Sequence, residues 1–373
     1  MKFLSDDALN EIADSMEPLN QKGISRRDFM KFCTAMAAIL SLPASFVPKI
    51  AEALSGKKPY LVWLAFQDCA GDTEALLRAT KPTVAQVVLD ILSVDYHETI
   101  MAPAGYQAEK SLMDVVKNHK GEYFVIVEGS IPVKDDGVYC CIGGRSAVDI
   151  AREVCGNALA TITVGTCAAY GGIPAALPNP TGAVGVKKAV PNAKVINLPG
   201  CPVNAENITA TIVHYLTLGT LPLTDKLGRP YFAYGKRIHD NCERRAHYDA
   251  GQFVRTWGDD GHRKGWCLYE MGCKGPETFH NCPTVKYNEG TSWPVQAGHG
   301  CLGCSEPNFW DTMSPFYKRL PSVPGFGVES TADKIGVGLA AATAAGLLIH
   351  GIGRAIAPKK EEEVNNVVKK DSN

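Results

Sequence analysis

The chain has almost no net charge. Lys and Arg number 38 against 39 Asp and Glu, a formal net charge of -1. A nucleic-acid binder concentrates basic residues on one face, so that class of partner has no electrostatic support here. An even cysteine count is also missing. Thirteen cysteines cannot all pair, which excludes a complete disulfide framework. Long apolar runs are absent from the middle of the chain, and the two that occur lie at its ends. What remains is an ordinary globular composition, 45% hydrophobic and 21% charged, over 373 residues. That length allows one or two domains with a real core.

The chemistry is concentrated between His239 and Cys304. The run reads RIHDNC, then GWCLYEMGC, then NC at Cys282, then HGCLGC. It supplies seven metal-type ligands: His239, Cys242, Cys267, Cys273, Cys282, Cys301 and Cys304. His-x-x-Cys and Cys-x-x-Cys each put two ligands within reach of one centre. Seven are too many for one site. An iron–sulfur cluster takes three or four ligands, usually thiolates and occasionally a histidine. Two tetrahedral zinc sites would want eight. On spacing alone, iron–sulfur is favoured, with zinc and disulfides as alternatives.

Residues 58–220 read as an α/β domain. Strand-like runs occur at Tyr60–Phe66, Tyr123–Val127, Ala160–Val164 and Lys194–Leu198, while Val87–Val94 is ambiguous between strand and helix. Helical patterns lie between them at Thr73–Ala79, Gln107–Asn118, Ser146–Cys155 and Ala205–Thr217. This alternation predicts a doubly wound parallel sheet with helices on both faces. Cys69, Cys167 and Cys201 each closely follow a predicted strand. Loops at the carboxyl edge of such a sheet converge on one crevice, so the three cysteines should meet there. A fourth ligand of the Cys-x-x-Cys type is lacking, because the loop reads DCAGDTE and position 72 is aspartate. Asp72 either binds iron through oxygen, the favoured reading, or caps the helix expected from Thr73.

The ends are of another kind. Residues 1–53 read as a twin-arginine export signal: SRRDFMK at 25–31, a mildly apolar run from Phe32 to Val47, and an A-x-A cleavage site at 51–53. A basic amphipathic helix is the alternative. A route that carries folded proteins suits a chain that binds metal before export. Residues 335–353, IGVGLAAATAAGLLIHGIG, are about long enough for a transmembrane helix. Gly338, Ala342 and Gly346 give the helix a face of small residues. The basic flank beyond it predicts an exported body; a buried Ala-rich helix is the alternative. The charged tail at 358–373 is expected to be disordered.

In combination these segments resemble the small subunit of membrane-bound, periplasm-facing [NiFe] hydrogenases of the uptake type. The resemblance covers nearly the whole chain. It is carried by VWLAFQDCAGDTEALLR, VEGSIP, GTCAAYGG, PNPTGA, NLPGCPVN, RIHDNCERRAHYDAGQF, GWCLYEMGCKGPETFHNC and the Cys301/Cys304 pair. It implies a flavodoxin-like domain at 58–220, then a cluster-binding domain at 221–325 with little regular structure. It implies a proximal [4Fe–4S] cluster on Cys69, Asp72, Cys167 and Cys201, whose type is open because most relatives have cysteine at position 72. A distal [4Fe–4S] cluster is implied on His239, Cys242, Cys267 and Cys273, and a medial [3Fe–4S] cluster on Cys282, Cys301 and Cys304.

The implied function is electron relay during H2 oxidation. The nickel–iron centre sits in a separate large subunit, so this chain holds no catalytic residue. Other implied partners are a membrane cytochrome b or an iron–sulfur membrane protein, the twin-arginine translocase and membrane lipid. The implied location is the cytoplasmic membrane, with the body in the periplasm. The supernumerary cysteines of the oxygen-tolerant subclass, expected at Gly71 and Gly172, are lacking. Alternatives of the same lineage are a hydrogen-sensing component, or a relay subunit akin to that of respiratory complex I. Cys33 would leave with the signal, and Cys140, Cys141 and Cys155 read as buried structural residues. Arg244, Arg245 and His247 read either as part of a docking surface or as a solvated charged face.

Overall fold

The computed structural model describes residues 26–56, 58–79, 92–288, 290–320 and 328–356. Helices α1 (Arg26–Ile39) and α2 (Val47–Ser55) come first. Strand β1 (Tyr60–Ala65) leads into α3 (Gly71–Leu77), and β2 (Ser93–His97) into α4 (Tyr106–Asn118). Next come β3 (Tyr123–Glu128), α5 (Ala147–Gly156), β4 (Ala160–Val164), α6 (Gly165–Tyr170), β5 (Val195–Leu198) and α7 (Ala205–Leu218). The five strands form one parallel sheet in the order 2-1-3-4-5. The apolar part of the ambiguous run, residues 87–91, lies outside the described residues, as do 1–25 and the tail from 357; Val94 belongs to β2.

Strand side chains alternate between two faces, and both faces are apolar. Leu61, Trp63, Phe124, Ile126, Ile162 and Ile196 pack on one side with Ile208 and Ile212 of α7. Val62, Leu64, Val125 and Val127 pack on the other with Leu112 and Val116 of α4 and Ile150 and Val154 of α5. Every residue of β3 is buried, as a central parallel strand requires. Two helix starts follow from local chemistry. The Ser146 side chain accepts from Asp149 N, and the Asn204 side chain from Glu206 N.

Two findings differ from the sequence reading. Residues 1–53 read in sequence as a segment outside the fold, yet α1 and α2, which hold its described part, pack onto the body. Phe29, Cys33, Met36 and Leu40 recur at helical spacing, and with Ile50, Ala51 and Leu54 they join the core on the α7 side. The expected boundary at residue 220 does not separate two bodies, since the chain up to Leu320 is one compact unit. Buried polar bonds join its halves. Asn207 and Asn281 exchange amide hydrogen bonds of 3.1 and 2.8 Å. Tyr234 Oη donates to Pro199 O at 2.8 Å. Beyond α7 the described chain up to Leu320 holds only short helices and turns of three to five residues.

The second unit carries α8 (Val328–Ile356). Its stretch Gly336–Ile356, 21 residues of mean hydropathy 1.5, is long and apolar enough to cross a membrane.

Phe124 is fully buried at the sheet centre and meets Tyr215 edge-on at 5.1 Å. Phe124→Ala is expected to cost about 3–5 kcal/mol and lower the midpoint of a thermal melt. Phe124→Leu, which keeps most of the apolar volume, should lower it less.

Candidate functional site

Parallel register brings the first donors together. Ala65 of β1 pairs with Glu128 of β3, Glu128 with Val164 of β4, and Val164 with Leu198 of β5. These four residues end their strands in one row, so the loops carrying Cys69, Cys167 and Cys201 leave the same edge. Their environments interpenetrate. Burial pushes the Cys167 thiol up to about 11, reinforced by Asp72 and Cys69. Burial raises Cys201 to about 12, reinforced by Cys304, Cys167, Asp72 and Cys69. Two glycines leave room for the sulfurs. A Cβ on Gly172 would come 2.5 Å from Cys167 Sγ, and one on Gly71 3.1 Å from Cys69 Sγ.

Asp72 is not the helix cap. The N-cap of α3 is Ala70, with φ 57° and no side-chain bond. Asp72 sits inside the first turn, 8% exposed, and its Oδ1 accepts from Val203 N at 2.6 Å. Its other oxygen fills the space where a side chain on Gly165 would go. Burial pushes its carboxyl up to about 7, although the Val203 bond opposes this.

The start of α3 is satisfied instead by Glu128. This fully buried carboxylate accepts from Asp72 N at 2.8 Å, Thr73 N at 3.1 Å, the Thr73 hydroxyl and Trp63 Nε1 at 3.3 Å. Four donors stabilise a buried anion that no cation accompanies in these contacts. Glu128 was not among the residues expected at the site. The available signal was a glutamate ending an otherwise apolar strand, YFVIVE.

His239, Cys242, Cys267 and Cys273 line one small cavity with Leu268, Tyr269 and Val295. His239 lies on a short turn, Ile238–Asn241, that delivers Cys242 directly after it. Burial lowers the imidazole to about 4 and raises Cys242 and Cys267 to about 11 and 12. Cys282, Cys301 and Cys304 line a second cavity of about 580 Å³, which Cys201 also reaches. Burial raises the thiols of Cys301 and Cys304 as well.

Two seams join the three groups. Thr166 Oγ1 accepts from Gly200 N at 3.0 Å and donates to Cys304 O, tying the loops of Cys167, Cys201 and Cys304 together. Cys301 N donates to Cys273 Sγ at 3.2 Å, and Lys274 N to Cys301 O at 2.8 Å. The Cys282/Cys301/Cys304 group therefore lies between the other two. Thr166 was also missed, because a threonine beside a cysteine carries no sequence signal of its own.

Other expectations resolve differently. Arg244 is buried, donating from Nη1 to Trp266 O at 2.7 Å, so it is not a docking charge. Arg245 is exposed and pairs with Asp249 at 2.9 Å. Cys155 is buried and Cys140 half-buried, but Cys141 is exposed on a short two-stranded ribbon. Cys33 is on the buried face of α1.

The donor sets fit iron–sulfur groups. They are almost entirely thiols that burial keeps protonated, and cationic iron would let them ionise in place. Tetrahedral zinc needs its ligands about 2.0–2.3 Å from one point. Among the described residues no three His, Cys, Asp or Glu side chains converge in that way.

A parallel α/β sheet whose edge meets a turn-rich, cysteine-lined region defines an electron-transfer subunit. Residues 234–317 match the C-terminal family of the NiFe/NiFeSe hydrogenase small subunit. Residues 69–215 match the NADH ubiquinone oxidoreductase 20 Kd subunit family. The chain is 48% identical over 353 residues to the quinone-reactive Ni/Fe-hydrogenase small chain of Wolinella succinogenes, covering 92% of this chain and 99% of that one. It is 46% identical to the uptake hydrogenase small subunit of Azotobacter vinelandii, over 91% and 94%. The [NiFeSe] hydrogenase structure from Desulfomicrobium baculatum is similar at TM-score 0.67 and 34% identity, covering 71% of this chain and all of that one.

The chain belongs to the hydrogenase small-subunit family. It pairs with a large subunit and relays electrons from that subunit's nickel–iron centre, and its family carries iron–sulfur clusters. The complex I alternative falls, because that match stops at residue 215 whereas the hydrogenase match continues through the second donor region.

Glu128→Ala would leave the N–H groups of Asp72, Thr73 and Trp63 buried without an acceptor, at about 1–3 kcal/mol each. The expected outcome is a lower melting midpoint and less iron per chain. Glu128→Gln, which keeps a carbonyl oxygen, should retain more of both.

Proposed function

We propose that this subunit serves H2 oxidation by passing electrons through three clusters to a membrane acceptor. Cys69, Asp72, Cys167 and Cys201 would hold the proximal [4Fe–4S] cluster. Cys282, Cys301 and Cys304 would hold the medial [3Fe–4S] cluster, and His239, Cys242, Cys267 and Cys273 the distal [4Fe–4S] cluster. Bound iron–sulfur groups supply one-electron carriers. The observation that carries this reading is the middle position of the Cys282/Cys301/Cys304 group, with one hydrogen-bonded seam on each side. Asp72 as a ligand is supported by its burial among the first donors and by the failure of the capping alternative. The 2-1-3-4-5 strand order supports a flavodoxin-like assignment for the first region.

The chain's own residues make the path selective. Thr166 and Gly200 fix the first junction, while the Cys273–Cys301 contact fixes the second. A histidine among thiolates raises a cluster's potential, which suits His239 to the exit. The acceptor in this reading is a cytochrome b or an iron–sulfur membrane protein. A name such as quinone-reactive, borne by a relative, supports a path toward quinone. Gly336–Ile356 would anchor the complex in lipid with the body in the periplasm. Residues 1–53 would direct folded export through the twin-arginine translocase. Ala51 is 1% exposed, so cleavage at the A-x-A site would require α2 to leave the body first.

Iron, sulfide and EPR analysis of the membrane-extracted complex should give two four-iron clusters and one [3Fe–4S] signal. Zinc without acid-labile sulfide would overturn the assignment. Asp72→Cys should alter the proximal cluster's Mössbauer parameters, and unchanged parameters would remove Asp72 from the ligand set. Deleting the residues after Lys334 should release the complex in soluble form; retention in the membrane fraction would mean that the anchor lies elsewhere.

A further inference from the structure

His280 is a buried group beside the middle donors that no ligand assignment uses. Its ring is 3% exposed, and Nδ1 lies 3.0 Å from Cys282 Sγ. Nε2 is enclosed and has no hydrogen-bond partner. The ring meets Tyr234 edge-on at 4.9 Å and lines the same cavity as Cys282, Cys301 and Cys304. Its surroundings are fixed. The preceding backbone N–H, that of Phe279, donates to Glu306 Oε1 at 2.7 Å, and Arg229 holds the same oxygen at 2.9 Å. The Arg229 guanidinium covers both the Phe279 and the Tyr234 rings, at 5.4 and 5.8 Å. His280 N donates to Lys236 O at 3.2 Å. A buried ion pair and two aromatic rings thus hold the imidazole against one particular sulfur.

We propose that His280 is a positioning residue that donates its Nδ1–H to the Cys282 sulfur and thereby raises the reduction potential of the cluster held there. This rests on the reading of Cys282 as a cluster ligand. A coordinating thiolate has no proton to give, so at this contact the imidazole must be the donor. That fixes the tautomer, with the proton on Nδ1 and a bare lone pair on Nε2. The assignment also accounts for the unpartnered nitrogen, since a buried N–H without an acceptor is the rarer and costlier orphan. An N–H directed at a ligand sulfur stabilises the reduced, more negative state. Such bonds are one of the handles by which a protein sets cluster potential. His280 therefore sets the height of the middle step of the relay.

The test is an EPR-monitored redox titration of the membrane-extracted heterodimer, with iron counted in each variant. His280→Phe keeps a ring and removes the donor. The middle cluster's midpoint should fall enough to change its reduction equilibrium at least tenfold, about 59 mV for one electron, at unchanged iron content. His280→Asn places an amide nitrogen the same number of bonds from Cβ as Nδ1 and should recover most of the loss. An unshifted midpoint in a fully loaded His280→Phe protein overturns the proposal. So does equal loss of the cluster in both variants, which would make the ring structural only. Cys282→Ala separates the underlying reading. If the [3Fe–4S] signal survives that change, Cys282 is not a ligand and the proposal falls with the assignment.

Discussion

Everything at the first donor set depends on parallel strand register. Four strands end in a row because Ala65, Glu128, Val164 and Leu198 are paired neighbours. A slip of one residue would turn every side chain of a strand to the other face. Here both faces are apolar and tightly filled, so burial alone penalises a slip less than in a half-exposed sheet. The edge itself adds the missing specification. Glu128 must end β3 at the level of α3 to accept from Asp72 N and Thr73 N, and Thr166 must follow β4 at the level of Gly200. Polar pairs at the carboxyl edge thus fix the register that the apolar faces leave degenerate, and the donors inherit their positions from it.

The same logic extends past the sheet. The second region contributes little secondary structure, so it cannot orient its cysteines by strand or helix geometry. It borrows orientation from the first through buried polar contacts: Thr166 to Cys304, Asn207 to Asn281, and Tyr234 to Pro199 O. Each contact is costly to leave half-made in a dry interior, which makes each one specific. Arg229 shows the balance. Its charge is met by Asp225 and Glu306 together, and its flat faces are covered by aromatic rings. Removing one partner would strand the others, so the cluster acts as a single joint within the second region.

Much of this was legible in the sequence, and the limits have physical causes. Strand runs of continuous apolar residues gave the parallel sheet, and cysteines just beyond strand ends gave the first crevice. His-x-x-Cys and Cys-x-x-Cys spacings marked His239/Cys242 and Cys301/Cys304 as candidates in the second region, because those spacings are local. Three things were not legible. In sequence Asp72 reads as a ligand or a cap, and what decides against the cap is an acceptor 56 residues away, Glu128. The packing of α1 and α2 onto the body depends on an apolar face that only the folded sheet presents. The seams through Thr166 and Cys273 depend on backbone atoms, which every residue has and which therefore leave no compositional trace.

The second region's shortage of regular structure follows from what fills it. Its main apolar cluster is Ile238, Val254, Leu268, Trp293 and Val295 with Cys282 and Cys301 among them. Two of the seven members are donors, and Cys242 and Cys273 pack against the same group. A core in which thiols replace aliphatic side chains leaves fewer positions for the repeating apolar stripe that a helix or strand needs. Such a region gains its order from the turns and buried polar bonds that place each thiol. The hydrogenase match over residues 234–317 spans this segment, whereas the match to the respiratory family spans the sheet domain. The turn-rich extension is therefore the part that the respiratory-family match leaves uncovered. It lies against the carboxyl edge of the sheet, where Thr166 bonds both Gly200 N and Cys304 O.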